Sequence, residues 1–301
     1  MLCNRLFVFG HIISSAIEHK TTVVNLGFPE YASLFPTAAA DIFCRFPPKR
    51  RTILHGNMVA REILWWIIRT FVRIYEKIVR YTRKFGIADP PWIYFVNSGY
   101  ETTENKTLEQ IQQLQRCLDT PEITHVVQRY SLIVIRGPLI RAFSYFEKHS
   151  DAIRAYFKPT ESCQLQVAKV IHNAKSKGDK IVGVHIRQGD YGHFDGGRHF
   201  YTSEQYRNLM VKILEKFSYQ KVIFLICSNI KQSEDVFIGV NFLFGTGHIT
   251  EDLYALAQCD FIVGPPSTYS MWASFYGQVP LYIVRNINHV PNLEDFNIVK
   301  G

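Results

Sequence analysis

The run Lys180-Ile181-Val182-Gly183-Val184-His185-Ile186 is seven residues of nearly unbroken apolar character, and it stops at Arg187-Gln188-Gly189-Asp190-Tyr191. A strand with no polar alternation is one covered on both faces, the condition of a central strand in a parallel sheet. The surroundings repeat the pattern. Ahead lie a helical stretch, Gln164 to Ser176, and a turn at Gly178-Asp179. Behind come helix Ser203 to Phe217, strand Lys221 to Cys227, helix Thr250 to Gln258, strand Asp260 to Gly264, helix Thr268 to Tyr276 and strand Val279 to Val284. Strand and helix in strict turn predict a parallel sheet with helices on both faces. Ligands of such sheets meet the carboxyl ends of the strands, so function is to be sought in the loops after Ile186, Cys227 and Gly264.

Toward the N-terminus the spacing predicts a helix from Arg5 to His19 and a short β-branched strand from Thr21 to Leu26. A long helix follows from Val59 to Phe85, closed by Gly86 and the Pro90, Pro91 pair. Strands are expected at Trp92 to Asn97 and Ser131 to Arg136, with a polar helix, Leu108 to Leu118, between them. Ala142 to Phe157 reads as a helix that Pro159 breaks, so the 301 residues divide into domains at 1–158 and 159–301. Both read as Rossmann-like α/β layers facing one another.

The composition, 47% hydrophobic with 14% aromatic residues, is that of a globular chain and excludes a long disordered tail. The net charge is +8, yet the segment Arg45 to Lys84 alone carries 11 Lys and Arg against Glu62 and Glu76, so the remainder is slightly acidic. Within that segment Arg69, Arg73, Lys77 and Arg80 fall on one helical face, opposite Ile67, Phe71, Ile74 and Ile78. Such a face is more often merely solvated; the second reading is peripheral contact with an anionic membrane at its inner face. Nucleic acid is not expected, since this cluster is all that favours it. Six cysteines stand far apart without a CxxC pair, as buried thiols in a reducing, cytoplasmic compartment would. A signal peptide at Leu6 to Ala16 ranks second to a helix, and Arg69 and Arg73 break the most apolar stretch before it reaches bilayer length.

Three places carry residues suited to chemistry. Arg187 just beyond a buried strand end fits an anion, because its planar fork matches phosphate or carboxylate; pairing with Asp190 to pin the loop fits the heptapeptide equally well. Gly264-Pro265-Pro266-Ser267-Thr268 ends a strand and opens a helix that Ser267 or Thr268 can cap, leaving helix N–H groups for a phosphate. Most such caps serve only their own helix. Glu251 and Asp252 open the preceding helix, where acidic residues ordinarily complement the dipole; the functional alternative has Asp252 holding a nucleoside. The glycine- and aromatic-rich loop Gly192 to Tyr201 is either an ordinary loop or a sugar-facing one. His185 reads as a hydrogen-bonded core residue. No Asp-x-Asp, Walker loop, Gly-x-Gly-x-x-Gly, His-Glu-x-x-His or Gly-x-Ser-x-Gly occurs, so metal-dependent transfer, ATP hydrolysis and serine hydrolysis lose support.

Together these pieces resemble the α-1,2-fucosyltransferases and their α-1,6- and protein O-fucosyltransferase relatives. His185 to Tyr191 is similar to their His-x-Arg-Arg-x-Asp-Tyr signature, and Asp252-Leu253-Tyr254, Cys259 and Ser267-Thr268-Tyr269-Ser270-Met271-Trp272 are similar to their distal pattern. Leu2 to Phe7 looks like their Gly-x-Gly-Asn-Gln-x-Phe loop, which makes Asn4 a donor contact. The resemblance implies a GT-B fold with its acceptor side in the first domain and its nucleotide-sugar side in the second. It implies inverting transfer of fucose from GDP-fucose to a glycan hydroxyl, an α-1,2 galactoside favoured, without a metal or other cofactor. Arg187 and Asp190 would be catalytic, Arg187 at the β-phosphate and Asp190 as general base or as the group orienting that arginine. His185, Ser267, Thr268 and Asp252 would join Arg187 and Asn4 in holding the donor. Gln188 departs from the pattern, standing where the α-1,2 family has a second arginine. Met1 lies only three residues ahead of Asn4, so either the start is late or the N-terminal layer lacks its first strand. The rivals are another nucleotide-sugar donor on the same fold and an inactive carbohydrate-binding relative.

Overall fold

The computed structural model describes residues 2–48, 58–86, 90, 92–97, 115–216 and 221–301. They form two compact units, Met1–Lys158 and Pro159–Gly301.

The first unit opens with α1 (Leu2–Glu18), which buries Leu6, Phe9 and Ile13 along one side. The run after it is not a strand. Only Val23 pairs, in a single antiparallel bridge to Phe46, because a β-branched sequence makes a strand only where a partner edge lies beside it. Two short turns of helix, α2 (Pro29–Ala32) and α3 (Pro36–Ala39), precede the long α4 (Met58–Arg83). Strand β1 (Ile93–Asn97) pairs in parallel with β3 (Leu132–Arg136), and β2 (Arg116–Cys117) with β4 (Ile140–Arg141). The expected helix from Leu108 falls mostly outside the described residues, and Arg116–Cys117 at its end is strand. Helix α5 (Pro121–Arg129) is capped by Thr120, whose hydroxyl accepts from the Ile123 N–H. The stretch expected as one helix from Ala142 is two, α6 (Phe143–Lys148) and α7 (Ser150–Tyr156), interrupted at His149. Val8 and Ile12 of α1 pack on a small core of Val96, Leu118, Ile140 and Ala142.

Helix α4 turns Trp65, Glu76 and Val79 inward, and Glu76 pairs with Arg136 at the end of β3. Ile67, Phe71, Ile74 and Ile78, a row that an amphipathic helix ordinarily buries, are instead each more than half exposed.

The second unit is regular. After α8 (Glu161–Lys177) come β5 (Lys180–Ile186), α9 (Ser203–Lys216), β6 (Val222–Ser228), β7 (Phe242–Phe244), α10 (Ile249–Leu256), β8 (Phe261–Gly264), α11 (Thr268–Gly277) and β9 (Leu281–Ile283). The five strands are all parallel, in the order β7-β6-β5-β8-β9. Strand β7 is too short and too closely preceded by Gly239 to show in the periodicity. Val182, Val184 and Ile186 pack with Leu209, Met210 and Ile213 of α9. On the other face a side chain at Gly183 would place its Cβ 2.6 Å from Leu256, so glycine is what lets α10 approach the sheet. The chain moves outward from β5 to β7 on one side and from β8 to β9 on the other, so the strand order reverses between β5 and β8. Such a reversal leaves a crevice at the carboxyl ends of the two central strands.

Candidate functional site

Arg187 is the first residue past β5 and Ser267 the third past β8, so both stand at that reversal. Val184 is in register with Val263, and Gly264 lets the strand ends close up, since a Cβ there would lie 3.0 Å from that of His185. Arg187 Nη1 donates to Ser267 Oγ at 3.3 Å. Its Nε and Nη2 grip both carboxylate oxygens of Asp190 at 3.1 and 2.6 Å. Its guanidinium lies 4.7 Å above the ring of Tyr191, whose hydroxyl donates to the Pro266 carbonyl at 2.6 Å. Arg187, Tyr191, Pro266 and Ser267 thus close a ring that ties the two loops together. Of the two readings of Arg187, an anion partner or a pin for its own loop, the pairing with Asp190 that pins the loop is formed, and Nη1 is left turned toward Ser267.

Ser267 is the N-cap of α11, its hydroxyl accepting from the Tyr269 N–H at 3.2 Å. Thr268 is the first helical residue. A helix's first N–H groups lack intrahelical partners and carry the positive end of its dipole, so guanidinium and helix mouth present positive potential to one point. That arrangement suits the oxygens of a diphosphate.

Other expected residues have different surroundings. His185 is buried under α11, its ring 4.8 Å from that of Tyr269 and its Nδ1 without a hydrogen-bond partner. Burial, and then the charge of Arg187, depresses its pKa to about 3, so it is a neutral packing residue. Asp190 has both oxygens taken by Arg187, and those hydrogen bonds hold its carboxyl below the usual range, which weakens it as a base. Asp252 is buried in the first turn of α10. Its Oδ1 accepts from the Thr246 N–H at 2.7 Å, the Gly247 N–H at 3.3 Å and the Thr246 hydroxyl at 3.3 Å, shaping the turn after β7. Burial raises its carboxyl pKa against the pull of those bonds. Asn4 belongs to the other unit, exposed in the first turn of α1; Leu2 to Phe7, expected as a glycine-type loop, is helix, with Leu2, Cys3, Leu6 and Phe7 buried on it.

Two contributors are not among the site residues expected from sequence, although Gln188 stands out there as a departure from the pattern. Tyr191 stood inside the quoted motif, and its part became visible only with the ring it closes. Gln188, 6% exposed, is a buried junction. Its N–H donates to Asn229 Oδ1 at 3.0 Å, its Nε2 to the Tyr201 carbonyl at 3.0 Å and Ser203 Oγ at 3.2 Å, and its Oε1 accepts from Gln232 Nε2 at 3.0 Å. It joins the loop after β5 to the loop after β6 and the start of α9. The chain from Gly189 to Tyr201 makes two short 3₁₀ turns, Gly189–Gly192 and, inside the loop, Phe194–Gly197, with Gly196 and Gly197 at φ +66° and +77°, conformations glycine takes without strain. Phe194 there stacks on Tyr191 at 5.1 Å. Among the described residues no group of three His, Cys, Asp or Glu side chains is placed to hold a metal ion. None of the six cysteines is joined in a disulfide, and no described helix is long and apolar enough to cross a membrane.

A parallel sheet whose strand-order reversal carries Arg187 beside a helix N-terminus, in a chain of two α/β units, has the makeup of a GT-B fold. Residues 140–289, just under half of the chain, match the model of glycosyl transferase family 11. Its fold is similar to that of a mutant FUT1 from Arabidopsis thaliana solved in complex with GDP, at TM-score 0.55 and 12% identity over 97% of this chain and 69% of that one. It is also similar to POFUT1 in its apo form, at TM-score 0.51 and 11% identity over 93% of each chain. No curated protein matches the chain in a direct search.

Proposed function

We propose that this glycosyltransferase moves L-fucose from GDP-fucose to a hydroxyl of a glycan acceptor, a galactoside joined in α-1,2 linkage being favoured, with inversion and without a metal. The observation that carries the reading is the meeting of Arg187 with Ser267 at the mouth of α11. The α- and β-phosphates would lie against Arg187 Nη1, the Ser267 hydroxyl and the first N–H groups of α11. As the bond from fucose C1 to the β-phosphate oxygen breaks, charge grows on that oxygen. Donors already aimed at that place stabilise it without reorganising, an effect worth several kcal/mol in comparable sites. The acceptor hydroxyl would attack C1 from the side opposite the leaving GDP, its proton passing to water or to the departing diphosphate as the new C1–O bond forms. Asp190 would serve by orienting Arg187.

Fucose as the sugar rests on the His185 to Tyr191 and Ser267 to Trp272 motifs and on the GDP complex of the Arabidopsis FUT1 mutant. Metal independence rests on the lack of an Asp-x-Asp pair. Asp252 would support the nucleoside side through the turn at Thr246-Gly247, and Asn4 would be a donor contact, as the motif resemblance implies. The acceptor side of the reading includes peripheral membrane contact through Arg69, Arg73, Lys77 and Arg80 of α4; the Arg80 side chain lies outside the described residues.

The test pairs thermal shift with product analysis. GDP-fucose is expected to stabilise the protein where GDP-mannose and UDP-sugars do so less, and mass spectrometry is expected to find one deoxyhexose added to a galactoside. Stabilisation by a UDP-sugar and not by GDP-fucose would replace the donor. Binding of GDP-fucose with no product from any acceptor would favour a carbohydrate-binding relative.

A further inference from the structure

Helix α4 shows three faces. The inward one, Trp65, Val72, Glu76 and Val79, sits on its own unit. Next round the helix, and outward, runs an apolar stripe of Ile63, Trp66, Ile67, Phe71, Ile74 and Ile78, each more than half exposed. These recur at spacings of three and four, so they stack into one continuous surface about 22 Å long at the helical rise of 1.5 Å per residue. Exposed Arg69, Arg73 and Lys77 form a band along the edge of that stripe nearest Trp66. The helix has two acidic residues, Glu62 at its start and Glu76, which is buried against Arg136. The ion pairs among the described residues leave the three band cations out.

A patch of this size is uncommon on a free surface and marks a place of contact. Its chemistry decides the partner. An apolar stripe edged by cations on a helix that also carries a charged face matches the interfacial layer of a bilayer, with acyl chains below and anionic headgroups at the rim. A helix with this many charges does not span.

We propose that α4 docks on an anionic membrane surface lying in the plane of the interface, with Trp66, Ile67, Phe71, Ile74 and Ile78 inserted below the headgroups and Arg69, Arg73 and Lys77 holding phosphates beside them. This deepens the membrane contact of the proposed function, yet it stands on α4 alone. The donor reading can fail without touching it.

The experiment is flotation of the full chain with vesicles of phosphatidylcholine alone and with about a third phosphatidylglycerol, alongside tryptophan emission. Binding to the anionic vesicles is expected, at least tenfold tighter than to the neutral ones, with a blue shift that Trp66→Phe removes. Phe71→Ser with Ile74→Ser, and separately Arg73→Glu with Lys77→Glu, are expected to weaken binding at least tenfold, since each cation near such a surface contributes about fivefold. Both pairs should leave the circular dichroism spectrum and thermal midpoint in place, because all four side chains point to solvent. No flotation with anionic vesicles overturns the proposal. So does flotation that Phe71→Ser with Ile74→Ser leaves unchanged, which would mean charge alone. So does a dimer in light scattering that the same pair dissociates, which would mean that a second copy covers the stripe.

Discussion

Arg187 Nη1 and Ser267 Oγ stand 3.3 Å apart, although 80 residues separate them in the chain, because β5 and β8 are neighbours at the point where the strand order reverses. Removing the guanidinium should therefore cost transition-state stabilisation before it costs the fold. Arg187→Lys keeps the charge but loses the fork that reaches Asp190 and Ser267 together. A fall in kcat of about a hundredfold or more is expected, the range for losing one preorganised donor at a developing anion. Steady-state kinetics with GDP-fucose would measure it, and unchanged turnover would remove Arg187 from the chemistry.

Tyr191 is tested by taking away one atom. In Tyr191→Phe the ring stays beneath Arg187, while the hydroxyl that donates to Pro266 at 2.6 Å is gone. Stability should fall by about 1 kcal/mol. If the tie between the loops matters to the site, kcat should fall by more than that loss of folded protein explains. Urea denaturation and kinetics on the same preparation separate the two. Tyr191→Ala, which also withdraws the surface beneath the guanidinium, should do worse on both.

Much of this unit could be read from the chain because its elements are locally determined. Lys180 to Ile186 is apolar on both faces and is flanked by glycine turns, and its observed limits are the expected ones. The site was legible to the extent that strand ends were: knowing that Ile186 and Gly264 end parallel strands places Arg187 and Ser267 in loops on one side of the sheet. Partnership was not legible. Thr21 to Leu26 has the composition of a strand but finds one bridge, and nothing local to Asp252 says that its carboxylate is occupied by Thr246 and Gly247. The outward turn of Ile67, Phe71, Ile74 and Ile78 is likewise a fact about what surrounds α4, which periodicity does not contain.

Gln188 gives a prediction against the family pattern. Its amide is buried and every polar atom has a partner, so Gln188→Leu leaves the Tyr201 carbonyl, Ser203 and Gln232 with lost bonds. A destabilisation of about 1–3 kcal/mol is expected in a urea titration. Gln188→Arg, the residue the α-1,2 pattern carries, should also destabilise here: a longer cation must enter a 6% exposed site whose Gln232 amide already donates into it. If Gln188→Arg matches or exceeds the original in stability, the junction is not what holds these loops.

Acid should weaken the protein through two buried histidines. His185 is one; the other is His11, which accepts the Ala142 N–H at Nδ1 over 3.1 Å and whose pKa is depressed to about 3 by burial and then by Arg141. In the unfolded chain both would titrate at the ordinary histidine value of 6.5. Between that value and about 3 the unfolded state binds protons that the folded state refuses, so stability is whole above pH 6.5 and declines as the pH falls. The slope is about 1.4 kcal/mol per pH unit for each histidine. Asp190 acts in the same direction but lower: its carboxyl is depressed by Arg187, so its contribution is present above the ordinary carboxylate pKa and is lost below it. Urea midpoints measured from pH 7.5 to 5 should therefore decline from about pH 6.5. His11→Gln, which offers an acceptor that does not titrate in this range, should flatten the decline in part, with His185 and His19, whose pKa burial also lowers, keeping the rest. A flat profile in the original protein would mean that neither ring is held neutral.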